Sequence, residues 1–111
     1  MEKKLGKIEN VYFGMGGYQD SMIGLHVTIS GNYWCVNDSK CAWDAEIIKH
    51  TENCKWTEHD RDLDYAKIIR FISSLLKEAK VDTVEKLKGI PIEATFEGNT
   101  LKDWRVLTEV I

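Results

Sequence analysis

The sequence predicts an α+β fold: an antiparallel sheet of about five strands, in the order β-β-β-loop-α-β-β, packed on one long helix. Three observations lead there. Residues 22–30 (MIGLHVTIS) alternate at period two, residues 57–80 repeat apolar side chains at a helical period, and residues 90–110 form two strand-like runs around Gly98-Asn99. Hairpins on both sides of a single helix, without alternating βαβ units, make a two-layer α+β arrangement. The chain has 111 residues, which suits one domain spanning 1–111 with one core.

A first strand is expected over residues 7–13 (KIENVYF), and Gly14, Gly16 and Gly17 behind it mark a turn. In the second strand Ile23, Leu25, Val27 and Ile29 alternate with Met22, Gly24, His26 and Thr28, giving one buried and one wetter face. Ser30-Gly31-Asn32 then turns the chain into a third strand at Tyr33-Trp34-Cys35-Val36. Residues 37–56 show no periodicity and are expected to be irregular. Loops of that length usually carry function or are held by something.

Thr57 and Asp60 make a short-armed capping box, and Glu58, Asp60 and Asp62 suit the positive end of a helix dipole. Tyr65, Ile68, Ile69, Ile72, Leu75, Leu76 and Ala79 form the expected core stripe of a helix running to about Lys80. A short helical turn is expected at 83–87. The runs IPIEATF and LKDWRVLTEV flank Glu97-Gly98-Asn99-Thr100, where Gly and Asn tolerate the left-handed conformation of a hairpin turn.

Composition narrows the function. The net charge of −3 leaves few unopposed cations for phosphates, so tight duplex DNA binding at physiological salt is not expected. The start MEKKLGKIEN has lysines with no apolar run behind them, so no secretory leader is read there, and no stretch approaches the roughly 20 apolar residues of a membrane span. Three cysteines without a leader favour a reducing compartment, so the expected location is the cytoplasm.

The best candidate for chemistry is a metal. Cys35, Cys41, His50 and Cys54 are spaced C-x5-C-x8-H-x3-C, and three thiolates with one imidazole are a common tetrahedral zinc set. Zinc is thus the candidate cofactor, and it would order the 37–56 loop where a core does not. His59 is an alternative ligand. The competing reading is that the cysteines pack as small hydrophobes.

Other constellations are weaker. Gly14-x-Gly16-Gly17 lacks the GK[ST] and the following helix of a phosphate loop. The acids Glu58, Asp60, Asp62 and Asp64 suit a solvated helix start better than a catalytic pair. His26 has no nucleophile beside it in sequence. The chain is therefore not expected to be an enzyme. Four tryptophans and four tyrosines are a heavy aromatic load, and Trp43, Trp56, Tyr18 and Tyr33 are the candidate partner-binding residues. The alternative is that the tryptophans form a small core of the loop.

The runs YFGMGGYQDSMIGL (12–25), CKWTEHDR (54–61), LLKEAKVDTVEKLKG (75–89) and IPIEATFEGNTLKDWRVLTEV (90–110) resemble a family of small, mostly uncharacterised proteins of tailed bacteriophages and prophages. The resemblance covers nearly the whole chain and carries no active-site signature. It implies an accessory protein that binds a host or phage protein, of the kind that inhibits a host defence system in the manner of an anti-CRISPR. The alternative expectation is a zinc-containing nucleic-acid-binding module of phage DNA metabolism, using Lys49, Lys55, Arg61, Lys67 and Arg70.

Overall fold

The computed structural model describes residues 1–44 and 57–111. Five strands, β1 (Glu2–Gly16), β2 (Met22–Gly31), β3 (Trp34–Trp43), β4 (Pro91–Glu97) and β5 (Thr100–Val106), form one antiparallel sheet in the order β3-β2-β1-β4-β5. The sheet curls, and one helix, α1 (Glu58–Ala79), packs against it, as the sequence predicts.

Strand β1 is longer than the expected 7–13 because its two halves have different neighbours. Glu2 to Lys7 pairs with Phe96 to Pro91 of β4, while Lys7 to Gly16 pairs with Ser30 to Met22 of β2. Gly14 and Gly16 belong to this strand; the turn begins at Gly17, whose φ of 69° favours glycine. The register slips between Ile8 and Asn10, so Glu9 is an extra residue, a β-bulge. One added residue exchanges the faces of everything beyond it. Even-numbered Ile8 and odd-numbered Val11 therefore both face the core. A second slip between Thr95 and Phe96 makes Lys102 the extra residue of β5, which keeps Leu101, Trp104 and Val106 on the core side.

The core-facing row is Ile8, Leu25, Val27, Ile29, Ile92, Ala94, Phe96 and Val106, joined by Leu75 and Ala79 of α1. Leu87, from the helical turn Val84–Leu87, is fully buried and closes one end. Curling brings the two edge strands together. The indole Nε1–H of Trp104 on β5 donates to Asp38 Oδ2 on β3 at 2.7 Å. Trp34 on β3 meets Phe96 on β4 edge-on, with centroids 5.2 Å apart. A Cβ on Gly6 or Gly31 would overlap the Trp34 indole, so these two glycines admit the ring.

Residues 37–43 were expected to be loop, and they are instead the second half of β3. Their core-facing positions, Asp38 and Lys40, are charged, which erases the period-two signal. Both are engaged: Asp38 with Trp104, and the Lys40 ammonium over the Phe71 ring at 5.4 Å.

The capping box at the start of α1 forms as read. Asp60 N donates to Thr57 Oγ1 at 3.1 Å, and Thr57 N donates to Asp60 Oδ2 at 2.8 Å. The helix is rolled relative to its expected stripe. Arg61, Ile68, Leu75 and Ala79 are buried, and Phe71 packs inward against Trp104 at 6.2 Å. Tyr65 is exposed, and Ile69, about 100° around the axis from Ile68, is 60% exposed. The roll places Phe71 against Trp104 and lets Arg61 donate to the Trp43 carbonyl at 3.2 Å. Arg61 also pairs with Glu58.

Leu75→Ala should cost about 2–5 kcal/mol by urea denaturation, whereas Ile69→Ala should stay within about 0.5 kcal/mol. Equal costs would contradict the roll. Trp104→Phe keeps an aromatic ring but removes the N–H and part of the indole's volume, and should cost at least about 1–3 kcal/mol because Asp38 loses its donor. A midpoint unchanged in that variant would show that the edge-to-edge hydrogen bond does not hold the curl.

Candidate functional site

The face of β1–β3 turned away from α1 is built from cross-strand rows. They run Asn10–Thr28–Asn37, Tyr12–His26–Ser39, Gly14–Gly24–Cys41 and Gly16–Met22–Trp43. The rows follow from strand alternation: the apolar residues of β2 turn to the core, so Met22, Gly24, His26 and Thr28 turn away from it. The first two rows line a groove of about 340 Å³, which Gly17 borders at one end.

His26 organises this groove. Its ring is only 7% exposed and stacks on Tyr12 with centroids 4.8 Å apart and planes 28° from parallel. Nε2 lies 3.1 Å from the Gly14 carbonyl and Nδ1 lies 3.0 Å from Ser39 Oγ. A carbonyl only accepts, so Nε2 donates to Gly14, and Nδ1 pairs with the Ser39 hydroxyl. Both nitrogens are thereby occupied, and the ring serves as a fixed wall rather than an open ligand. Beside it, Thr28 Oγ1 donates to Asn37 Oδ1 at 2.7 Å, which leaves the Asn37 amide nitrogen as a donor. Asn10, Tyr12, His26, Thr28, Asn37 and Ser39 give the lining polar and aromatic side chains without charge, and Asp38, the acid in the lining, has its carboxylate engaged by Trp104. Such a lining suits neutral hydrogen-bonding groups, including peptide main chain.

Of the candidate zinc residues, the two that are described, Cys35 and Cys41, are not brought together. Cys35 and Cys41 both face the groove side, but they stand opposite Ser30 and Gly24, six residues apart in one continuous strand. At about 3.4 Å per residue that is roughly 20 Å. Zinc–sulfur bonds are about 2.3 Å long, so one ion does not hold both thiolates. His50 and Cys54 lie outside the described residues. Among the described residues no group of three or more His, Cys, Asp or Glu is placed to hold a metal.

Each described cysteine has another contact. Cys35 Sγ donates to Glu9 Oε2 at 3.7 Å, and Cys41 Sγ donates to Met22 Sδ at the same distance. Desolvation, followed by the Glu9 carboxylate, pushes the Cys35 thiol above its ordinary pKa. Desolvation, followed by Asp38 and Asp64, does the same for Cys41.

The aromatic candidates divide into two places. Tyr18, in the β1–β2 connection, is 66% exposed. Trp43, half-buried, pairs with Met22 at the same end of the sheet, where Asp44 N donates to the Ser21 carbonyl at 2.8 Å. Tyr33 is fully exposed in the β2–β3 turn at the opposite end. The ten residues of β2 put about 30 Å between those ends. Trp56 lies outside the described residues. The residues that sequence reasoning missed are Asn10, Tyr12, Asn37 and Ser39. Extending the third strand past Val36 would have found the last two, since Cys35, Asn37, Ser39 and Cys41 alternate on one face.

Comparison with protein-family models, curated proteins and solved structures finds no match for this chain. Among the described residues no helix is long and apolar enough to cross a membrane.

Glu9→Gln removes a carboxylate that disfavours the Cys35 thiolate. Peptide-resolved mass spectrometry should therefore show faster alkylation of Cys35 at pH 8 in the variant, with Cys41 unchanged. Equal Cys35 rates in both proteins would remove Glu9 as a cause of its raised pKa.

Proposed function

We propose that the protein acts by stoichiometric contact with another protein, as a small phage accessory protein in the host cytoplasm. An inhibitor of a host defence system is one form such a protein takes. The observation that carries this reading is the groove of Tyr12, His26, Asn37 and Ser39, with Trp43 farther along the same face and exposed Tyr18 in the connection that follows Gly17. Tyrosine and tryptophan supply large, ordered contact area, and interface centres are depleted in charge. The groove's amide and hydroxyl groups suit a partner's main chain. The resemblance of residues 12–25 and 90–110 to phage proteins supports the setting.

The test is capture of a partner from lysate of infected host cells, followed by affinity measurement with the purified partner. Tyr12→Ala and Tyr18→Ala should each weaken binding by about tenfold or more. Tyr33→Ala, at the far end of the sheet, should leave it unchanged. Binding lost in Tyr33→Ala and retained in the other two would move the contact surface away from the groove.

A further inference from the structure

Beyond the groove, part of β1 has an edge with no strand partner among the described residues. Strand β4 leaves β1 at the Lys7–Pro91 pair. From Asn10 to Gly16, β1 is paired with β2 on one side, and among the described residues no strand pairs with its other side. An unpaired edge offers alternate N–H and C=O groups to another strand, and proteins ordinarily blunt such edges with charge, proline or bulges.

The other two edges are blunted in this way. Strand β3 carries Asp38 and Lys40 and is tied across to β5 by the Trp104 hydrogen bond. Strand β5 carries the bulge at Lys102, with Asp103 and Arg105 beside it. The free half of β1 reads NVYFGMG: it has no charge and no proline, and its own bulge lies before it, at Glu9. Tyr12, Phe13 and Met15 are all exposed there.

We propose that residues 12–16 of β1 pair antiparallel with the same residues of a second copy of this chain, about a two-fold axis at Gly14. The sequence is self-complementary in that register. Phe13 stands opposite Met15 of the partner subunit, and Met15 opposite Phe13 of the partner subunit, on the core-side face. The thioether and the ring make a favourable contact. Tyr12 stands opposite Gly16 of the partner subunit and stays stacked on its own His26, with its hydroxyl over its own Gly16. Glycine meets glycine on the axis, where two side chains would crowd. Two-fold pairing sets each residue type against a fixed mate, and in this segment no mate carries a charge. The same pairing of residues 2–9 would bring together Glu2, Lys3, Lys4, Lys7 and Glu9. A chain of net charge −3 associates most readily where it is locally uncharged. The short strand overlap makes a weak dimer.

Sedimentation velocity of the full chain, up to about 1 mM, tests this. The weight-average mass should rise from one chain toward two. Hydrogen exchange at the amides of residues 12–16 should slow over the same concentration range. Phe13→Lys and Met15→Lys should each weaken the dimer by at least about tenfold, while Leu63→Lys, at an exposed apolar site on α1, should not. Circular dichroism checks that each variant folds; Met15→Lys decides the matter if Phe13→Lys does not. The proposal is overturned by a chain that stays monomeric throughout. A dimer that survives the folded lysine variants, or that forms without protecting residues 12–16, also overturns it.

Discussion

Strand β1 has to bury one face along fifteen residues while it exchanges one neighbour for another, and the extra residue at Glu9 is what permits this. Without the bulge, Ile8 and Val11 would lie on opposite sides, and either the β4 half or the β2 half of the sheet would turn its apolar row outward. With it, a single core extends from Ile29 on β2 to Ile92 and Val106 on β4 and β5. Bulges also increase local twist. In this sheet the twist becomes a curl strong enough for the two edge strands to meet at Trp104 and Asp38. The roll of α1 follows from the same geometry, because Phe71 packs against Trp104 where β5 approaches β3.

The parts of the fold that were legible in the sequence are those where a local rule and the tertiary structure agree. Alternation in β2, the Thr57 capping box and the Gly98-Asn99 hairpin each correspond to an observed element. The second half of β3 was illegible for a specific reason. Its core-facing side chains, Asp38 and Lys40, take their partners from β5 and α1, so the hydrophobic period is absent where the strand is present. The exposure of Ile69 was hidden in the same way. Periodicity gives a helix's apolar arc, but only the neighbours decide which part of the arc is covered.

The candidate site was less legible than the fold. Tyr18 and Trp43 were picked out by residue type, and β-pairing puts them at the same end. Tyr33 was picked out on the same grounds and stands at the other end. The cysteine spacing suggested a compact ligand set, but an extended strand separates Cys35 from Cys41. His26 gained its partners, Tyr12, Gly14 and Ser39, only through cross-strand register. Such contacts join residues 12 or more apart in sequence, beyond the reach of motif spacing.

The division of β1 between two neighbours also bears on the order in which the chain assembles. Residues 7–16 find β2 through a short connection, whereas residues 2–7 need β4, near the other end of the chain. Loop-closure entropy rises with the length of chain enclosed, so the first pairing costs less and the second more. During synthesis β4 emerges from the ribosome long after β1–β3. Until it does, residues 2–7 form a second open edge, and this one carries Lys3, Lys4 and Lys7. Lysines on an edge discourage pairing with strangers. The charges that are half-covered or peripheral in the finished sheet therefore protect the nascent chain while it waits for its last strand.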